Sequence, residues 1–119
     1  MARNNSFNNQ EVIEKITERL TALGLYKIIL FGSTVRGEIS PDSDVDLLVV
    51  TEDEFLPKDF SEKNKLYLRV SQAIFDIQQQ IPVDLIVHTK AMHNEFIELG
   101  SMFAKKIQSE GVVLYEKNG

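Results

Sequence analysis

The chain contains no cysteine and no tryptophan, and only 3 of its 119 residues are proline. Without cysteine there is no disulfide framework, no thiolate zinc cluster and no thiol nucleophile. No apolar run approaches the ~20 residues that a membrane-spanning helix needs, and residues 1–5, MARNN, lack the hydrophobic core of a signal peptide. We therefore expect a cytoplasmic protein that does not enter a membrane.

Basic residues are also fewer than acidic residues. The sequence has 13 basic and 18 acidic residues, a formal net charge of −5. Because affinity for a nucleic-acid backbone depends on lysine and arginine, this balance argues against broad nucleic-acid binding. With 119 residues, 43% of them hydrophobic, the chain is long enough for one core. We expect residues 1–119 to form a single domain without a separate substrate domain.

The most informative motif is a pair of aspartates at the start of an apolar run. Residues 44–50, DVDLLVV, follow the turn-forming residues SPDS and predict a strand that begins at a loop. Side chains alternate along a strand, so Asp44 and Asp46 share one face, about 6.6 Å apart. At an effective dielectric of about 20 the two charges repel by about 2.5 kcal/mol. A divalent cation would turn that repulsion into binding, as Mg²⁺ is usually held by one or two carboxylates completed by water and phosphates.

A second motif precedes the first by ten residues. Residues 27–31, KIILF, predict a buried strand that runs into Gly32 and Ser33 and then into a short helical turn. Such a junction offers phosphates free backbone N–H groups and a hydroxyl. Gly32 would allow close approach of the backbone, and Ser33 would donate to a phosphate. Arg36, one turn later, would clamp phosphate oxygens with its forked donors.

A third carboxylate stands in another apolar segment. Residues 83–87, VDLIV, predict a strand in which Asp84 is the only charged residue. If this strand lies beside residues 44–50 in register, Asp84 joins Asp44 and Asp46 on one face. Three carboxylates facing a phosphate-binding loop describe a nucleotidyl-transfer site with one or two metal ions.

These residues also have purely structural explanations. Ser33 is a suitable N-cap, Asp84 could keep an edge strand soluble, and Arg36 could pair with a nearby carboxylate at the surface. Two further polar residues, His88 and His93, have no ligand spacing between them, so we expect isolated surface or capping roles for both.

Helical and strand patterns alternate along the chain. Three longer apolar stripes predict helices that end at Gly24, before Pro82 and near Gly111. The stripes are Ile13, Ile16, Leu20 and Leu23; Leu66, Val70, Ala73, Ile74, Ile77 and Ile81; and Met92, Phe96, Leu99, Phe103 and Ile107. We expect the aromatic residues of the third stripe and Met102 to lie in the core. Residues 112–115 predict a last strand at the sheet edge. With the short helix after Ser33, the order is α-β-α-β-α-β-α-β, which predicts a layered α/β fold.

Taken together, Gly32-Ser33, ten intervening residues, Asp44-x-Asp46 and a later strand with Asp84 resemble the nucleotidyltransferase superfamily typified by DNA polymerase beta and kanamycin nucleotidyltransferase. In size the chain is most similar to the minimal nucleotidyltransferases (MNT proteins), MntA-type antitoxins that pair with HEPN-domain toxins. The resemblance covers nearly the whole chain and implies the polymerase beta-like fold with a mixed four-stranded sheet. Because larger members carry extra domains for the acceptor, it also implies that this chain borrows its acceptor site from a partner or a second copy.

The resemblance implies an enzyme. The residues implied to bind Mg²⁺ and act in catalysis are Asp44, Asp46 and Asp84, and those implied to bind the nucleotide are Gly32, Ser33 and Arg36. The expected reaction transfers AMP from ATP to a hydroxyl, such as a tyrosine of a partner HEPN toxin. Two alternatives stay open: transfer to a small molecule such as an aminoglycoside by a homodimer, and an antitoxin that acts by binding alone.

Overall fold

The computed structural model describes residues 9–32, 35 and 44–117. The helices are α1 Asn9–Thr21, α2 Phe60–Ala73, α3 Phe75–Gln78, α4 Lys90–Leu99 and α5 Met102–Glu110, and the strands are β1 Leu25–Phe31, β2 Val45–Thr51, β3 Val83–His88 and β4 Val112–Glu116. The short helix predicted after Ser33 lies outside the described residues. Within them, none of the helices has the length and apolar content of a membrane span.

The four strands form one mixed sheet in the order β3-β2-β1-β4. Strand β1 runs antiparallel to both β2 and β4, whereas β2 and β3 are parallel. The predicted mixed four-stranded sheet is therefore confirmed, and β4 lies at an edge as expected. The register of β2 with β3 decides where the acidic residues meet.

The sheet separates two hydrophobic clusters. Alternation sends Leu47 and Val49 of β2 toward α1 and α2, where they join the larger cluster around Ile16 and Val70. Leu48 points to the opposite face, where the smaller cluster of Ile29, Leu48, Val50 and Ile107 joins the sheet to α5. Asp46 has the same parity as Leu48, so the acidic motif belongs to the face with the smaller core.

The helix predicted up to Pro82 is interrupted, and the prediction of one continuous helix is wrong. Helix α2 ends at Ala73, and Ile74 adopts φ −122° and ψ 22° before the four residues of α3. The break buries Ile74 completely. Arg19 of α1 donates to the carbonyl oxygen of Ala73 at 3.2 Å and forms two bonds to Asp76 at 2.8 and 2.9 Å. Tertiary contacts thus compensate an interruption that no glycine or proline signals.

The last apolar stripe is also divided into two helices. Gly100, with φ 60°, ends α4, and the Ser101 hydroxyl accepts from the N–H of Ala104 at 3.0 Å to begin α5. Leu99 and Met102, on either side of this corner, are 83% and 88% exposed. The expectation that Met102 lies in the core is therefore wrong, because the corner turns it outward. It is also wrong for Phe103, which is 46% exposed, whereas Phe96 is partly buried.

Candidate active site

Asp46 and Asp84 are direct neighbours across two parallel strands. The register pairs Val45 with Val83 and Asp46 with Asp84. Adjacent strands lie about 4.8 Å apart, and residues paired in register share a face. Asp46 is partly buried, and Asp84 is exposed. The register that was required to bring the two carboxylates together is thus present.

Gly32 fits closely against Asp46. The last residue of β1, Phe31, pairs with Asp46, and Gly32 follows with φ 82°. A Cβ atom on Gly32 would lie 2.0 Å from Oδ2 of Asp46 and 2.9 Å from its Cγ. Glycine is therefore required here twice, because the left-handed backbone and the adjacent carboxylate both exclude a side chain.

The chain turns immediately after this contact. The N–H of Val35 donates to the carbonyl oxygen of Gly32 at 3.2 Å, and Val35 packs against the larger hydrophobic cluster. Ser33 and Arg36 lie outside the described residues, so their phosphate-binding roles stay predictions. Gly32 itself lies beside Asp46, and its role in nucleotide binding also stays a prediction.

The acidic residues fit a metal ion that is shared with a ligand. Asp44 is exposed and directly precedes β2. No three His, Cys, Asp or Glu side chains within residues 9–32, 35 and 44–117 form a group able to hold a metal ion. The roles of Asp44, Asp46 and Asp84 as a joint set of metal ligands therefore stay predictions. The adjacent pair of Asp46 and Asp84 matches the usual Mg²⁺ arrangement, in which one or two carboxylates are completed by water and phosphate oxygens.

A cavity of about 370 Å³ lies beside Asp46. Gly32 and Asp46 line it from the sheet side, and a second wall is formed by Phe103, Lys106, Ile107 and Glu110 of α5. None of these four residues of α5 was predicted as part of the site. A signal was present in the spacing of Phe103, Ile107 and Glu110, which places them on one side of a helix.

A row of aromatic rings runs from this cavity along the same face of the sheet. The ring of Phe31 contacts that of Phe103 edge to face at a centroid distance of 5.6 Å, and Phe103 contacts Phe96 at 5.9 Å. Phe96 in turn lies 5.1 Å from the ring of His88. The row packs α4 and α5 against the sheet and fixes the distance of α5 from the acidic residues.

His88 and His93 are not isolated, contrary to the expectation from their spacing. Their Nδ1 atoms lie 3.3 Å apart, so one ring donates to the other. Burial lowers the pKa of His88 to about 4, with a further contribution from His93, and burial followed by the charge of Lys27 lowers the pKa of His93. Both rings are therefore neutral at pH 7, and they join the end of β3 to α4.

The sequence matches the family described as nucleotidyltransferase domain over residues 11–114. It is 28% identical over 91 residues to "Putative protein adenylyltransferase MJ0141" of Methanocaldococcus jannaschii, covering 74% of this chain and 87% of that protein.

Several crystal structures have a similar fold. A nucleotidyltransferase-like protein from Sulfolobus solfataricus superposes with a TM-score of 0.57 at 20% identity, covering 90% of this chain and 79% of the other. A toxin-antitoxin with AMP-PNP gives a TM-score of 0.52 at 21% identity, with coverages of 93% and 76%. The toxin-antitoxin MntA-HepT gives 0.50 at 20% identity, with coverages of 92% and 74%.

Proposed function

The chain belongs to the nucleotidyltransferase domain family and is a nucleotidyltransferase, and on this premise we propose that it transfers AMP from ATP, with Mg²⁺, to a hydroxyl of a partner protein. The acceptor we propose is a tyrosine of a HEPN toxin, which makes this chain the antitoxin of the pair. We further propose that residues 1–119 form one catalytic domain.

The observation that carries the proposal is the pairing of Asp46 with Asp84 beside Gly32, on a sheet face that opens into a cavity. Two adjacent carboxylates repel each other unless a cation lies between them. A bound Mg²⁺ would supply charge neutralisation for the phosphates and orient the triphosphate. Asp44, which directly precedes β2, is proposed as a further ligand once a nucleotide is bound.

The residues of the site have different proposed roles in nucleotidyl transfer. Asp46 is held against Gly32 and is suited to a fixed ligand position, whereas Asp84 is exposed and accessible to an incoming hydroxyl. We assign Asp84 the second role of accepting the proton of the acceptor hydroxyl. Gly32, Ser33 and Arg36 are proposed to orient the phosphate chain. The acceptor oxygen then forms a bond to the α-phosphorus, the bond to the β-phosphate oxygen breaks, and pyrophosphate leaves.

A protein acceptor is supported by the names of a relative and of two structural neighbours. The relative in Methanocaldococcus jannaschii is named as a protein adenylyltransferase, and two structural neighbours are toxin-antitoxin complexes. A partner protein would bring its own tyrosine to the site.

A small-molecule acceptor is the second candidate. The observation that favours it is the cavity of about 370 Å³ beside Asp46. That volume lies within the roughly 300–1,000 Å³ typical of small-molecule sites. In this case a second copy of the chain, as a homodimer, would complete the site.

The test is transfer of label from α-³²P-ATP with Mg²⁺ into proteins of the source cell's lysate. Wild-type protein is compared with Asp46→Asn and with Glu95→Gln, which removes an exposed carboxylate on α4 away from the sheet. We expect one labelled protein with the wild type and with Glu95→Gln. Asp46→Asn should reduce labelling by about a thousandfold, because the phosphates lose a fixed metal ligand.

The other outcomes are equally informative. Equal labelling by Asp46→Asn and the wild type would remove Asp46 from the mechanism. Labelling of an added aminoglycoside, with no labelled protein, would select the small-molecule candidate. A copurifying toxin that is inhibited but never labelled would identify an antitoxin that acts by binding alone.

A further inference from the structure

Helix α5 presents two charged side chains to the cavity that contains Asp46. Phe103, Lys106, Ile107 and Glu110 line it at spacings of three and four residues, which places them on one side of the helix. Ile107 is 3% exposed and belongs to the smaller hydrophobic cluster. Its burial orients the helix and sets Lys106 beside the opening of the cavity.

The end of α5 is fixed tightly to the strand that leads into Gly32. A Cβ atom at Gly111 would lie 2.8 Å from Cγ2 of Ile29, so the chain passes β1 at a distance that only glycine allows. The following residue, Val112, pairs with Leu30 of β1. The backbone of α5, which carries Lys106, is therefore held in a defined position relative to the strand that leads into Gly32.

The ammonium group of Lys106 has no partner among the described residues. Within the described part of the chain it forms no ion pair and no side-chain hydrogen bond. Other lysines of the molecule do form ion pairs: Lys27 with Glu116 at 3.8 Å, and Lys117 with Glu52. A lysine that lines the same cavity as a carboxylate, and that pairs with no described residue, is suited to bind an anion that enters the cavity.

The donor nucleotide brings such an anion. We propose that Lys106 contacts the phosphate chain of the bound nucleoside triphosphate, an inference that rests on the proposed nucleotide site. Asp46 and Asp84 would hold the cation, and the ammonium of Lys106 would neutralise phosphate oxygens in the cavity. Asp46 and Glu110 both line that cavity and would repel an approaching triphosphate, so the positive charge of Lys106 would offset that repulsion.

Lys105 provides a matched control. It is the neighbouring residue on the same helix, it is exposed, and it does not line the cavity. Its Cε atom lies near Gly100 at the corner between the helices. Lys105→Ala and Lys106→Ala therefore remove the same charge from the same helix and differ only in access to the cavity.

The experiment is calorimetric titration of the full chain and both variants with ATP and Mg²⁺, together with thermal unfolding. We expect Lys106→Ala to weaken ATP binding about tenfold, the loss expected for one charged contact, whereas Lys105→Ala stays within about twofold. Lys106→Arg should restore most of the affinity. The melting temperatures of all variants should agree with that of the wild type, because both lysines are exposed.

Kinetics separate a contact from a structural effect. Loss of a binding contact should raise KM for ATP in the transfer assay while kcat changes little. Equal ATP affinities of Lys106→Ala and Lys105→Ala would overturn the role of Lys106 and leave the proposed function standing. If the wild-type chain binds no nucleoside triphosphate, both the proposed function and this inference fail.

Discussion

The two faces of the sheet differ in the size of the hydrophobic cluster that each one buries. Toward α1 and α2 the sheet buries a continuous cluster in which Ile16, Ile28 and Leu47 have no exposed surface. Toward α4 and α5 the cluster is smaller, and the same face then continues into Asp46, Asp84 and an open cavity. A chain of this size thus keeps most of its packing on one face, and the other is left partly uncovered for the candidate site.

Two adjacent residues of β2 distinguish the two faces of the sheet most directly. Leu47 and Leu48 are both fully buried, but Leu47 points into the larger cluster and Leu48 into the smaller one. Leu47→Ala should cost about 4 kcal/mol of unfolding free energy and leave transfer by the folded protein unchanged. Leu48→Ala should cost about 2 kcal/mol, because the nearby cavity lets its surroundings relax, and should lower transfer.

Urea unfolding and the labelling assay, run on both variants at a temperature where each is folded, give the two numbers. Equal losses of stability would mean that the faces contribute alike. A normal transfer rate in Leu48→Ala would mean that packing on its face does not position Asp46.

The next largest effect is expected at the two glycines that flank β1. Gly24 and Gly32 have φ values of 77° and 82°, so alanine is strained at both, at about 1–2 kcal/mol. At Gly24 the nearest atom to an added Cβ is Glu52 Oε2 at 3.9 Å, whereas at Gly32 the Cβ would overlap the carboxylate of Asp46. Gly32→Ala should therefore cost about 3 kcal/mol and lower transfer about a hundredfold, because Asp46 is displaced.

Gly24→Ala is the control, since it introduces the same backbone strain at the end of β1 that is remote from Asp46. Its transfer rate should match that of the wild type. If both alanine variants lose the same stability and both keep transfer, the close contact of Gly32 with Asp46 has no functional consequence.

The same contrast explains what could be predicted from the sequence. Apolar runs predicted the strands, and alternation predicted that Asp44 and Asp46 would share a face, because both signals are local. The position of Asp84 on that face depended on the register of β2 with β3, which only the structure provides. The second wall of the cavity was missed, since it depends on how α5 docks some 60 residues after Asp46 in the chain. The interruption at Ile74 was missed for the same reason, because Arg19 on another helix stabilises it. The corner at Gly100 and Ser101 did have a local signal, which the continuous apolar stripe obscured.

The smallest expected effect is a loss of folding stability at low pH, and it should arise on the sheet face that packs against α4 and α5. Burial lowers the pKa of His88 from its ordinary value of 6.5 to about 4, with further contributions from His93 and Lys63. Burial also lowers the pKa of His93, and the charge of Lys27 contributes. Between pH 6.5 and pH 4 the imidazole of His88 is protonated in the unfolded chain but stays neutral in the folded protein. Stability is therefore complete above pH 6.5 and falls with pH through this window, by roughly 2 kcal/mol at pH 4.5 for His88 alone.

Replacing the titrating ring tests whether this loss belongs to the histidine pair. His88→Phe keeps an aromatic ring beside Phe96 and removes the proton site, so its unfolding free energy should change less between pH 7 and pH 4.5 than that of the wild type. Hydrogen exchange at pH 5 should show α4 opening before α1 in the wild type, because the pair joins α4 to β3. An unchanged pH dependence in His88→Phe, or earlier opening of α1 than of α4, would contradict this prediction. The acid sensitivity would then be assigned to the sheet face that packs against α1 and α2.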